Sequence, residues 1–165
     1  MHCIIIAGAT GQGKTTFAKN LIRRMPNRKV YVFDVNNEFE ELEKTQGWKR
    51  HTKLDKKLFL SEVSEMRNTV VLVEDATGFF SSRVNEKMLQ LAQGKRHTGN
   101  VYIFLFHTVY YIPENLQTFA NYTVIFRTND EPGKVFKKFP GFAACVARLK
   151  RMPKYSKFII KNYEQ

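Results

Sequence analysis

The chain has 165 residues, 43% of them hydrophobic, with 27 Lys and Arg against 15 Asp and Glu for a formal charge of +12. That length predicts one domain over residues 1–165 with a real core, and the apolar share excludes wholesale disorder. No apolar run reaches the length of a membrane span, and no Cys/His cluster has zinc spacing. The two cysteines, Cys3 and Cys145, suggest buried thiols in a reducing compartment. The charge is concentrated: between Pro132 and Tyr163 the chain carries nine Lys and Arg and no Asp or Glu. A one-sign field of that size favours a polyanion partner over a merely solvated surface.

The first predicted element is Cys3-Ile4-Ile5-Ile6-Ala7, an apolar run suited to a buried parallel strand. It leads into Gly8-Ala9-Thr10-Gly11-Gln12-Gly13-Lys14-Thr15, which fits the phosphate-binding pattern G-x-x-x-x-G-K-[ST] at every fixed position. Phe17, Leu21 and Ile22 then fall at helical spacing, so the motif has the strand, loop and helix it needs. Glycines let successive N–H groups turn inward onto phosphate oxygens, and the helix N-terminus adds partial positive charge. Gly8 to Thr16 are therefore the nucleotide-binding candidates. Lys14 reaches the β- and γ-phosphates of ATP, and the Thr15 hydroxyl coordinates Mg²⁺. Because the motif begins at residue 8, no room is expected for a targeting segment before it.

Pro26-Asn27 stops the first helix, and Lys29 to Phe33 reads as the second strand, ending at Asp34. Asp34, Asn36, Asn37 and Glu38 either lie at the nucleotide edge or a subunit contact, or cap a short helix from Glu38 to Lys44. Gly47 to Thr52 reads as a polar connector around Trp48, and Leu54 to Met66 as a helix. Thr69 to Val73 is the strongest strand signal, and it closes on Glu74-Asp75. An apolar strand ending in acids downstream of a phosphate loop reads as a Walker B element. Glu74 is the metal-side acid, and Asp75 is the base that orients and deprotonates water. The residue order is the reverse of the usual Asp then Glu.

Gly78 to Ser82 reads as a loop presenting Phe79 and Phe80, and Val84, Met88, Leu91 and Ala92 mark an amphipathic helix. The basic cluster Gly94-Lys95-Arg96-His97-Thr98-Gly99 follows. Arg96 is a candidate arginine finger supplied in trans, although a solvated helix C-terminus explains the same residue types. Val101 to Phe106 is a buried strand whose tip is His107, either a γ-phosphate sensor or an ordinary satisfied polar group. Pro113 to Phe119 reads as a short helix and Tyr122 to Phe126 as the fifth strand, after which Arg127 is expected near the nucleotide. Val135 to Lys138 and Phe142 to Arg151 look helical, and Lys157 to Asn162 reads as an edge strand.

Four stretches together resemble the FtsK–HerA group of nucleic-acid-pumping ATPases, and within it the small packaging ATPases of tectivirus-like and internal-membrane viruses. They are Gly8 to Thr15; Phe33-Asp34-Val35-Asn36-Asn37-Glu38; Val70 to Asp75; and Gly94 to Gly99 running on through His107 and Pro113 to Phe126-Arg127. The resemblance spans about residues 2–128. It implies an α/β three-layer sandwich with a mostly parallel central sheet, of the additional-strand, catalytic-acid (RecA-like) type of P-loop NTPase. It also implies a pentameric or hexameric ring that translocates double-stranded DNA, with Arg96 as trans finger and His107 in the sensor slot. Capsid vertex proteins as partners and a cytoplasmic or virion-associated location follow from the same likeness. Many members carry Gln where His107 stands, and the acids here are Glu-Asp. With no room for a separate DNA-clamping domain, the loop around Phe79–Arg83 or the basic extension, about 132–165, is expected to grip DNA. Two other readings share the phosphate loop: a small-molecule or nucleoside kinase, and a nucleotide-gated assembly protein with little hydrolysis. The kinase lacks an evident arginine-rich lid or acceptor pocket.

Overall fold

A computed structural model describes residues 2–80 and 85–162. Its elements, in order, are β1 (Cys3–Ala7), α1 (Lys14–Arg23), β2 (Lys29–Phe33), α2 (Glu40–Gln46), β3 (Lys49–His51), α3 (Lys56–Glu65), β4 (Thr69–Val73), α4 (Ala76–Phe79) and α5 (Asn85–Gln93). They continue as α6 (Lys95–Thr98), β5 (Val101–Phe106), α7 (Glu114–Phe119), β6 (Tyr122–Phe126), α8 (Pro132–Lys138), α9 (Pro140–Leu149) and β7 (Lys157–Lys161). The strands form one sheet in the order β3-β2-β4-β5-β1-β6-β7. Every pairing is parallel except that of β6 with β7.

The interior strands are apolar on both faces because helices cover both faces. Ile4, Ile6, Val32, Leu72, Ile103 and Val124 face α1 and α2, where Ala18, Ile22, Phe39 and Leu42 close one core. Ile5, Phe33, Val71, Phe104 and Ile125 face the other core, built from Phe59, Met88, Leu116, Phe142 and Val146. The result is the α/β three-layer sandwich with a mostly parallel sheet that the sequence predicted, and β5 is inserted between β1 and β4 as expected of the additional-strand type.

Two segments differ from expectation. The connector at Gly47 to Thr52 contains a strand: Lys49, Arg50 and His51 pair with Tyr31, Val32 and Phe33, and Trp48 is buried against Phe39. Lys-Arg-His carries no apolar signal because β3 is an edge strand held chiefly by its backbone. The supposed loop at Gly78 begins as a helical turn, α4, whose start is capped by Asp75. Phe79 and Phe80 are buried, Phe79 edge-on to Phe33 and Phe80 against Phe104 and Phe106. They are core residues and do not grip DNA. The rest of that loop, Ser81 to Arg83, and Val84 lie outside the described residues. Cys3 is buried as expected, whereas Cys145 is only half-buried, and neither is bonded to the other.

Candidate active site at the ends of the parallel strands

The phosphate loop is tied to both neighbours of β1. Gly8 N–H donates to the Phe106 carbonyl at 3.0 Å and Ala9 N–H to the Arg127 carbonyl at 2.8 Å, so β5 and β6 hold the loop from either side. Gly8 has no substitute there, since a Cβ would meet Phe126 Cβ at 2.6 Å. Gly11 and Gly13 adopt φ of +73° and +90°, the left-handed region that glycine enters without strain. Gly13 precedes α1 without a side-chain cap, and no acid stands in the first turn, so the first N–H groups of the helix remain available to an anion. Lys14 is buried and its ammonium donates to the Ala9 carbonyl at 3.1 Å. Burial pulls its pKa down, opposed by the charges of Glu74 and Glu38.

The loop opens on a cleft of about 290 Å³ lined by Thr10, Gly11, Gly13, Lys14, Thr15 and Thr16, and across from them by Glu38, Glu74, His107 and Tyr155. Gly8, Ala9 and Gln12 shape the loop without lining the cleft. Glu74 follows β4 directly and is 5% exposed. The Asn36 amide donates to its Oε2 at 2.6 Å. Burial, reinforced by the negative charge of Glu38, nonetheless pushes Glu74 up to about 7, so this carboxyl titrates near neutrality. Asp75 does not line the cleft. Its Oδ1 accepts from Gly78 N–H at 3.0 Å, capping α4, and stands 3.8 Å from His107 Nε2. His107 does line the cleft, and its own N–H donates to Thr77 Oγ1 at 3.1 Å.

Neither Asp34 nor Asn36 caps the helix expected from Glu38: α2 begins at Glu40 without a side-chain cap, and the Asn36 amide goes to Glu74. Asp34 is fully buried and accepts from Glu38 N–H and Phe39 N–H, at 2.9 and 3.0 Å, while Arg50 pairs with it at 3.0 Å. It builds the turn that brings Glu38 to the cleft and Asn36 onto Glu74. Arg127 does not face the nucleotide. Its side chain turns to the C-terminal segment, donating to the carbonyls of Leu149 and Met152. One of these carbonyls ends α9 and the other lies three residues beyond it, so the guanidinium ties the segment after α9 back to the end of β6.

Arg96 is not brought to this cleft. It lies in α6 ahead of β5, where Asn68 N–H donates to the Thr98 carbonyl, so it sits at the starts of β4 and β5 while the phosphate loop sits at their ends. A six-residue strand separates those ends by roughly 20 Å. Of the two adjacent cations, Lys95 is buried and donates to the Phe119 carbonyl, and Arg96 is the exposed one. Tyr155 and Thr77 were not anticipated. A lone tyrosine in a basic tail and a threonine past the acid pair carry no periodic or motif signal.

Among curated proteins none matches the chain. Solved structures do. The genome packaging NTPase B204 from Sulfolobus turreted icosahedral virus 2, in complex with sulfate, superposes with a TM-score of 0.77 at 16% identity, covering 99% of this chain and 92% of that one. The pCW3 conjugation coupling protein TcpA gives 0.67 at 12%, covering 97% and 57%. EssC from Geobacillus thermodenitrificans gives 0.67 at 16%, covering 98% and 38%. At such identities the likeness speaks for the fold. The family model described as "Helicase HerA, central domain" matches residues 1–91, a span that holds the phosphate loop, the Asp34 turn and the acid strand. With more than half its length in that match, the chain belongs to the helicase HerA central-domain family and is a P-loop ATPase of the FtsK–HerA type.

Proposed function

We propose that this ATPase is a DNA-translocating motor, one domain acting in a pentameric or hexameric ring, that packages a viral genome into a procapsid. The observation that carries the motor reading is the contact of Asp75 with His107, 3.8 Å apart on adjacent strand ends, with His107 opening onto the phosphate cleft. An acid beside the cleft suits water as the nucleophile, whereas a kinase would need an acceptor pocket there. Asp75 orients and deprotonates the water, and His107 senses the γ-phosphate. Lys14 and the loop N–H groups bind the β- and γ-phosphates. The cleft fits a hydrated Mg²⁺: the Thr15 hydroxyl and Glu74 carboxylate both line it. Among the described residues no group of three or more Asp, Glu, His or Cys forms a protein cage. When bound with nucleotide, Mg²⁺ neutralises charge developing on the phosphates. Arg96, remote from its own cleft, serves a neighbouring subunit.

Charge supports DNA as the polymer. Exposed Tyr110 and Tyr111 border a groove in which three cations, Lys134, Lys137 and Lys138, outnumber one acid, Glu114. Backbone-directed cations and stacking surfaces bind any sequence, as a motor requires. Tyr110 lies three residues beyond His107, and Lys138 donates to its carbonyl at 2.8 Å, so groove and sensor share one segment. No helix among the described residues is long and apolar enough to cross a membrane. Capsid vertex proteins are the fitting partners, with the motor in host cytoplasm or on the virion.

The test is steady-state ATPase activity with and without double-stranded DNA, at two salt concentrations, on wild type and Asp75→Asn. DNA stimulation that fades with salt is expected, with a loss of at least about 100-fold in Asp75→Asn while ATP still binds. Asparagine also caps α4, so the loss reports charge and not folding. Hydrolysis indifferent to DNA would sink the motor. ATP binding without hydrolysis would favour an assembly switch.

A further inference from the structure

The parallel ladder between β4 and β5 ends at Val73 and Phe104, but β5 runs on beside β1 as far as Phe106. The Phe106 carbonyl points to the β1 side, where it accepts from Gly8 N–H at 3.0 Å. The N–H of the next residue, His107, therefore points to the β4 side, where the strand has already ended. Thr77 provides the acceptor that β4 no longer can, taking that N–H on its Oγ1 at 3.1 Å. One side chain thus extends the ladder by a rung and joins the turn after β4 to the tip of β5. That turn, α4, is held at its other points too. Asp75 Oδ1 accepts from Gly78 N–H at its start, and Lys56 of α3 donates to the carbonyls of Gly78 and Phe79 at its end, at 2.7 and 3.2 Å. A Cβ on Gly78 would meet Asp75 Oδ2 at 2.6 Å, so the carboxylate rests directly against the backbone of the turn.

We propose that Thr77 is a positioning residue for hydrolysis, its hydroxyl setting the separation between Asp75 and His107. The inference rests on the reading of Asp75 as the base and His107 as the sensor. Asp75 Oδ1 and His107 Nε2 stand 3.8 Å apart, too far for a direct hydrogen bond, so the pair does not hold its own spacing. Thr77 lies two residues past the acid and bonds the backbone of the histidine itself, so a shift of the β5 tip is passed to the turn that carries Asp75. Thr77 does not line the cleft, and it acts through the two residues it joins. Valine matches threonine in shape and lacks the acceptor, so at this position it keeps the packing and removes the rung. Displacements of about 1 Å at a reacting pair are enough to lower turnover by orders of magnitude.

The experiment measures phosphate release with double-stranded DNA present, and ATP affinity by calorimetric titration, on the full chain. Wild type, Thr77→Val, Thr77→Ser, Asp75→Asn and the double variant Thr77→Val with Asp75→Asn are compared. Thr77→Val should lower kcat about tenfold while ATP affinity stays within about twofold, and Thr77→Ser, which keeps the acceptor, should stay within about twofold of wild type. On the Asp75→Asn background Thr77→Val should lower the residual rate by less than about twofold, because the charge it positions is already gone. A further tenfold loss on that background would make Thr77 a support independent of the acid and overturn the proposal. An unchanged kcat in Thr77→Val, or a loss of ATP binding in step with turnover, would overturn it as well. An Asp75→Asn protein that hydrolyses ATP at the wild-type rate would instead remove the base reading, and the proposal with it.

Discussion

Glu74 is held in a place that costs its charge. Its folded pKa of about 7 lies above the ordinary value of 4.5, so between those two pH values the native state keeps a proton that the unfolded chain has released. Stability of the nucleotide-free protein should therefore fall as pH rises from about 4.5 through about 7, then level off. At pH 8 the accumulated penalty is on the order of 3 kcal/mol. Glu74→Gln should lose that slope and exceed wild type in denaturant midpoint at pH 8, with the two converging near pH 4. Parallel curves for the two proteins would mean that Glu74 is ionised freely in the fold. An acid so placed is unstable alone and stabilised by a cation, which is the behaviour a metal-side carboxylate needs.

At the scale of elements, the short edge strand β3 is anchored by one arginine. Arg50 reaches from β3 to fully buried Asp34 at 3.0 Å, and also to Glu43 and Asn37. Removing the guanidinium leaves Asp34, among the described residues, with the N–H groups of Glu38 and Phe39. Arg50→Met should cost about 3 kcal/mol in chemical denaturation, because breaking one side of a buried pair strands the other charge. Nucleotide binding should weaken with it, since the Asp34 turn carries Asn36 and Glu38. A loss under about 0.5 kcal/mol would show that water replaces the arginine. This strand was illegible in Lys49-Arg50-His51 because its stabilisation comes from backbone pairing to β2 and from a partner sixteen residues away. The buried strands β1, β2, β4, β5 and β6 coincide with their apolar runs because a strand covered on both faces must be apolar throughout.

For the whole molecule, the decisive geometry is that Arg96 and the phosphate loop occupy opposite ends of the sheet. In a ring with sites between subunits, an Asp75→Asn subunit still offers Arg96 to its neighbour, and an Arg96→Ala subunit still offers Asp75. Each variant alone should lose at least about 100-fold in turnover. Mixed at equal concentration, they should recover hydrolysis at interfaces that join the two intact residues. Absence of any recovery, with mixed assembly verified by size, would leave Arg96 as a surface cation.

The layered α/β fold, the phosphate loop and the acid-ended strand are all legible in the order of residues along the chain. Those signals are local: a fixed pattern of glycines and lysine, and runs of apolar residues whose burial needs no knowledge of the partner. Tertiary structure alone decided that Phe79 and Phe80 are core, that Arg127 anchors a turn, and that Tyr155 stands at the cleft. Each depends on which distant segment comes to lie beside it, and a side chain's neighbours across a sheet leave no trace in its own stretch of chain.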